Sequence, residues 1–143
     1  MKIEPYLFFD GQAEEAMAFY EQALEAKIEA TMRYADCPEP IPAEYLPPGG
    51  PQKVLHGSLL VHGQRLMFCD GTPNESGHFR GFSLTLQYAT EEEVRRVFNN
   101  LAEGGNVLMP LDATFFSPCF GQVADRFGVR WMVMLDHPAQ PLS

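Results

Sequence analysis

The chain has 143 residues, 45% apolar and 20% charged, with eleven Phe, five Tyr and one Trp, enough for one compact domain or two small halves with an aromatic core. Its formal charge of −9 argues against nucleic acid and anionic membrane as partners, because phosphate contacts need clustered Lys and Arg. No apolar run reaches the ~18 residues of a membrane span, and "MKIEPYLFF" lacks the apolar and small-residue segments of a signal peptide, so neither is expected. Cys37, Cys69 and Cys119 are odd in number and form no CxxC, which leaves no disulfide framework or zinc knuckle and makes the cytoplasm the expected compartment.

In chain order, "IEPYLFF" predicts a strand and "AEEAMAFYEQALEA" an amphipathic helix, with Met17, Tyr20 and Leu24 on one face and Glu14, Glu15 and Glu21 on another. "KIEATMRY" alternates Ile28, Ala30 and Met32 with Glu29, Thr31 and Arg33 and predicts a half-buried strand. "ADCPEPIPAEYLPPGGPQ" carries six Pro, which neither a helix nor an inner strand tolerates, so residues 36–52 predict a long loop able to act as a flap. "KVLHGSLLV" and "QRLMFCD" predict a hairpin turning at His62-Gly63.

After the loop "GTPNESGHFR" the order repeats. "GFSLTLQY" predicts a strand. "TEEEVRRVFNNLAEGG" predicts a helix with a Thr90–Glu93 capping box and a glycine stop. "NVLMPL" predicts a strand, and "CFGQVADR" with "RWMVMLD" a last hairpin turning at Phe127-Gly128. Two modules are therefore expected, about 3–70 and 80–136. Their last hairpins share a phrase: "VHGQRLMF" and "RFGVRWMV" align Gly63 with Gly128, Arg65 with Arg130 and Met67 with Met132.

A doubled β-α-β-β-β module resembles the vicinal oxygen chelate superfamily of glyoxalase I, bleomycin-resistance proteins and extradiol dioxygenases. The chain looks like its PhnB-like branch. "PYLFF" followed by "AMAFYEQALEAK", then "LMFCDG", then "TFFSPCFGQVADRFGVRWMV" carry the resemblance, which covers residues 3–136. It implies an α+β fold of tandem modules whose curved, antiparallel-rich sheets each form a cup, and a homodimer. Some members of this branch carry a ubiquinone-methyltransferase label. The glycine-rich strand-to-helix turn that would hold a nucleoside cofactor is not found in this sequence.

Metal-dependent relatives place His, Gln or Glu on the first and last strands, where a metal grips vicinal oxygens as a Lewis acid. Mapped through the repeat, those positions fall on Pro5, Phe82, Met67 and Met132, with Glu4 replacing Pro5 if the first strand slips by one. None of the four is a usual ligand for zinc, iron, nickel or manganese, so no cofactor is expected. Strand alternation turns His56, Ser58, Leu60, Arg65, Met67 and Cys69 into the first cup, joined by Leu7 and Phe9, with Leu84 and Leu86 in the second. In the second hairpin Asp125 is expected opposite Arg130 and Val123 opposite Met132.

Two functions follow. The first is a binder of a small, apolar or aromatic molecule that works without a metal. Its ligand-binding candidates are Ser58, Arg65, Met67, Phe82, Phe115, Phe116, Arg130 and Met132, with the arginines available to an anionic group and "TFFSP" to a planar one. The alternative is a lyase, isomerase or dioxygenase that uses a divalent metal at a non-standard site around His56 and Cys69, as base and nucleophile. His62, His78 and His137 are expected in a turn, a loop and the tail.

Overall fold

The computed structural model describes residues 1–71 and 79–136. The chain divides into two units, residues 1–78 and 79–143, each built the same way. The first has β1 (Tyr6–Phe8), α1 (Ala13–Ala23), β2 (Lys27–Arg33), β3 (Val54–Val61) and β4 (Gln64–Cys69), in the sheet order β1-β4-β3-β2. The second has β5 (Leu84–Tyr88), α2 (Glu91–Ala102), β6 (Asn106–Asp112), β7 (Phe120–Ala124) and β8 (Arg130–Leu135), in the order β5-β8-β7-β6. The first and last strands of each unit run parallel and the other pairs antiparallel, so both sheets are mixed and the class is α+β. The predicted loop before Phe79 with His78, and the tail with His137, lie outside the described residues.

Each helix covers one face of its sheet. In α1 the buried positions Ala13, Ala16, Met17, Tyr20 and Ala23 recur at helical spacing, and Leu7, Leu59, Leu66 and Phe68 are the buried sheet residues of that unit. In α2 the buried stripe is Val94, Val97, Phe98 and Leu101, with Val123, Trp131 and Val133 buried on the strands. Thr90 caps α2 as predicted: its Oγ1 accepts from the Glu93 N–H at 3.2 Å. A glycine sits at the same place under each helix. A Cβ on Gly57 would come within 2.4 Å of the Phe68 ring, and one on Gly121 within 2.7 Å of the Phe98 ring.

Two buried carboxylates tie the units internally. Asp70, just past β4, accepts from the Ala13 N–H at 2.7 Å and the Val54 N–H at 2.8 Å, and so joins the start of α1 to the start of β3. Asp125 accepts from the Trp131 indole at 2.9 Å and from the backbone N–H groups of Phe127 and Val129.

The sequence expectation needs three corrections. The first concerns the first strands. Leu7 pairs with Phe68, and Leu84 with Trp131, both on the helix side. Leu7, Phe9, Leu84 and Leu86 therefore do not line the open faces. Tyr6 and Phe8, and Thr85 and Gln87, take that side, because the aliphatic residues are drawn under the helices. The second concerns the last hairpin. Ala124, not Asp125, opposes Arg130, and Gln122 opposes Met132. Asp125 is withdrawn into a wider loop by its own hydrogen bonds and does not pair with Arg130. The third is β2, where Ile28, Ala30 and Met32 are exposed on an edge strand.

The Pro-rich segment holds three short 3₁₀ turns, Tyr34–Asp36, Ala43–Tyr45 and Gly50–Gln52. Its ends are fastened. The Tyr34 N–H donates to the Lys53 carbonyl, Arg33 donates to Glu14 and to the Gln52 carbonyl, and Lys53 Nζ donates to the Gly11 carbonyl at 2.8 Å.

Candidate functional site

The side of each sheet away from its helix is where side chains stay accessible, and each unit carries its own set. In the first, the hairpin register is the predicted one. His62 and Gly63 turn with positive φ, Val61 pairs with Gln64, Leu60 with Arg65 and Ser58 with Met67. Tyr6 pairs with Met67 and Phe8 with Cys69. His56 pairs with Met32. The open face therefore brings together Tyr6, Phe8, Met32, His56, Ser58, Arg65, Met67 and Cys69.

Sequence reasoning had not singled out Tyr6. Its hydroxyl lies 3.0 Å from His56 Nδ1, and its ring packs on Phe8 and His56 at centroid separations of 5.2 and 5.5 Å. The hydroxyl also faces the Cys69 sulfur, and burial pushes both the phenol and the thiol up. A thiol held protonated is a poor nucleophile, and His56 is engaged with Tyr6. His56 and Cys69 are thus on one face, with Tyr6 as the group that reaches both.

A bulge supplies the other missed residue. The pairing of β2 with β3 slips between Ile28 and Ala30, which puts Glu29 on the open face as an extra residue. Glu29 accepts from Arg65 Nε at 2.8 Å, from Arg65 Nη2 at 2.9 Å and from Ser58 Oγ at 2.8 Å. Glu4 adds a contact to Arg65 at 3.5 Å. The Arg65 hydrogen bonds, then that of Ser58, hold the Glu29 carboxyl at about 2, below the usual 4.5. The same pairing raises the Arg65 guanidinium. Arg65 is committed to two carboxylates of its own chain, which lowers its capacity for an anionic ligand.

In the second unit Thr85 pairs with Met132, Gln122 lies on the other side of Met132, and Met109 beyond that. Thr85 Oγ1 lies 3.8 Å from Met132 Sδ. Arg130 is exposed and makes no ion pair among the described residues. Phe116 stacks edge-on over Phe120 at 4.9 Å, and Phe115, fully exposed, stands edge-on to Phe116 at 5.1 Å. The Thr114 hydroxyl, accepting from the Phe116 and Ser117 N–H groups, fixes that loop. Phe82 precedes β5 and packs on Phe79.

The residues that the register sets opposite Met67 and Met132 are Tyr6 and Thr85, in place of the expected Pro5 and Phe82. A phenol, a hydroxyl and two thioethers do not fit a divalent ion that takes imidazole and carboxylate. Among the described residues no three of His, Cys, Asp and Glu gather in a way that could hold a metal. No helix there is long and apolar enough to cross a membrane.

Comparison with known proteins fits this architecture. The chain is 33% identical to Protein YjdN of Escherichia coli over 138 residues, 93% of this chain and 94% of that protein. It superposes on PA1353 from Pseudomonas aeruginosa with a TM-score of 0.81 at 39% identity, covering 95% and 98% of the two chains. A Bacillus cereus protein described as a putative 3-demethylubiquinone-9 3-methyltransferase, PhnB protein, gives 0.78 at 36% identity over 95% and 100%. A glyoxylase/bleomycin resistance protein/dioxygenase domain from Frankia shares the fold, with a TM-score of 0.65 at 12% identity over 94% of each chain. The model of the family described as 3-demethylubiquinone-9 3-methyltransferase matches residues 1–134, and the chain belongs to that PhnB-like family, on the glyoxalase/bleomycin-resistance fold.

Proposed function

We propose that the protein binds a small, partly aromatic molecule on the open faces of its sheets, without the divalent metal usual in the superfamily, and acts as a cytoplasmic homodimer. The observation that carries this reading is the make-up of those faces. Partly exposed aromatics and thioethers (Tyr6, Phe8, Met67, Phe116, Met132) surround a few polar groups, while the opposite faces are closed by helices. The exposed apolar run Val107, Leu108 and Met109 on the edge strand β6 supports a second copy as partner, and the three free cysteines support a reducing compartment. Methyl transfer is not carried over from the family's description. The strand-to-helix connections 9–12 and 89–90 hold at most one glycine each, which gives no glycine-rich cradle for a nucleoside cofactor.

The test is metal analysis of protein purified without a chelator or metal-affinity tag, followed by a fragment screen read at the methionine methyl resonances. Shifts at Met67 and Met132 in metal-free protein support the reading. Stoichiometric zinc, iron, nickel or manganese bound at these faces overturns it. Light scattering tests the dimer.

A further inference from the structure

The two arginines of the repeat differ in what holds them. Arg65 is bound by Glu29 and Glu4, whereas Arg130, exposed on β8, makes no ion pair among the described residues. Along the β7–β8 pair, Phe120 stands opposite Met134, Gln122 opposite Met132 and Ala124 opposite Arg130, while Gly121 lies under α2. Strand alternation therefore sets Arg130, Met132, Gln122 and Phe120 on the same open face. Phe116 lies over Phe120 and is 44% exposed, so the aromatic end of that face is the Met134 end. A rise of about 3.3 Å per residue puts about 13 Å of strand between Arg130 and Met134. The half-buried Met132 and Gln122 fill the middle. Asp112, which pairs with Phe120, adds a carboxylate at the aromatic end, so the face is positive at one end and negative at the other.

We propose that the open face of the second unit binds an aryl-alkanoic acid, with the ring at Phe116 and the carboxylate on Arg130. This rests on the small-molecule reading above and deepens it by naming the ligand class, the unit that takes it and the residue that selects it. A carboxylate attached directly to a ring spans only part of the face, whereas a short alkyl chain between the two lets one ligand reach both ends. The ring packs edge-on against Phe116, and the chain lies on the polarisable Met132 thioether. The carboxylate accepts hydrogen bonds from the Arg130 guanidinium, whose planar fork suits a bidentate pair. Asp112 repels a carboxylate from the other end, which fixes the direction of the ligand. The first unit does not compete for the acid, because Arg65 already carries the carboxylates of its own chain.

The probes are 5-phenylpentanoate and its neutral isostere 5-phenylpentanamide, titrated into the full chain with EDTA present and followed at the methionine methyl resonances. The acid should shift Met132 and leave Met67 in place. It should bind about 5-fold more tightly than the amide, the upper scale of an exposed ion pair, and added salt should narrow that margin. Arg130→Ala should abolish the preference for the acid without weakening the amide. Phe116→Ala, with unchanged amide spectra to show intact folding, should weaken both ligands alike. Equal binding of acid and amide by the wild-type protein, or a preference that survives in Arg130→Ala, overturns the inference and leaves the small-molecule reading standing. So does an acid that shifts Met67 in place of Met132. Binding of neither probe overturns the inference and counts against the small-molecule reading as well.

Discussion

The two units share a plan and differ in what it presents. The bulge that puts Glu29 on the first open face recurs in the second, between Val107 and Met109, and there it presents Leu108. Arg65 therefore has a carboxylate beside it, whereas Arg130 has an aliphatic chain at the equivalent point. Next to the paired methionines Met67 and Met132 stand Tyr6 and Ser58 in one unit, Thr85 and Gln122 in the other. Where His56 lies in the first, Phe120 lies under Phe116 in the second. One backbone carries a face with an ion-paired arginine and a phenol, and another with an exposed arginine among thioethers. Backbone geometry is thus held by the helix-side residues, while the open-side residues are free to change chemistry.

The largest expected effects test whether each unit has its own keystone. Asp70→Ala strands two buried donors and Asp125→Ala three donors, two of them buried, and each should cost about 2–4 kcal/mol in chemical denaturation. Hydrogen exchange should place the loosened amides within 1–71 for the first and within 79–136 for the second. Equal loosening of both would break the picture of two internally tied units. Next come the matched glycines. Gly57→Ala and Gly121→Ala force a methyl against Phe68 or Phe98 and should each cost about 1–3 kcal/mol in urea denaturation.

A smaller effect separates the two bulges by pH. Glu29 titrates at about 2 in the folded protein against 4.5 ordinarily, so its contribution is present above 4.5 and is lost as pH falls toward 2. Glu29→Gln should flatten the thermal midpoint over that window, and Leu108→Ala should leave its pH slope unchanged. A wild-type slope in Glu29→Gln would show that Arg65 does not hold the carboxylate. The smallest contrast is between the arginines. Arg130→Ala should stay within about 0.5 kcal/mol, and Arg65→Ala, which frees Glu29 and Glu4, should lower the midpoint more.

The fold was legible because the chain repeats a phrase: Gly63-x-Arg65-x-Met67 and Gly128-x-Arg130-x-Met132 run from the turn into the last strand of each unit. A second signal went unread. "HGS" and "FGQ" place Gly57 and Gly121 under the helices, and they would have fixed which side of β3 and β7 is open. The first strand was misread because "PYLFF" is apolar in both parities, so alternation cannot choose a face. Burial of Leu7 decides it, and with it Tyr6 enters the site. The wide loop around Asp125 was hidden because the Trp131 indole that draws the carboxylate inward is a tertiary partner. Glu29 was hidden for a similar reason. Its partners Arg65 and Ser58 stand on β4 and β3, contacts that the sequence of β2 alone does not announce.

The connection between β2 and β3 runs over residues 34–53, while its counterpart between β6 and β7 needs only 113–119. The short version shows that the fold closes without the extra length, and the long one is fastened where it begins and ends, by Tyr34, Arg33 and Lys53. By loop-closure entropy the difference in length is worth only about 1 kcal/mol. The segment is therefore an insertion port. Its interior can be cut back or replaced with foreign sequence, a reporter or an epitope, at little thermodynamic cost so long as the two clasped ends are kept.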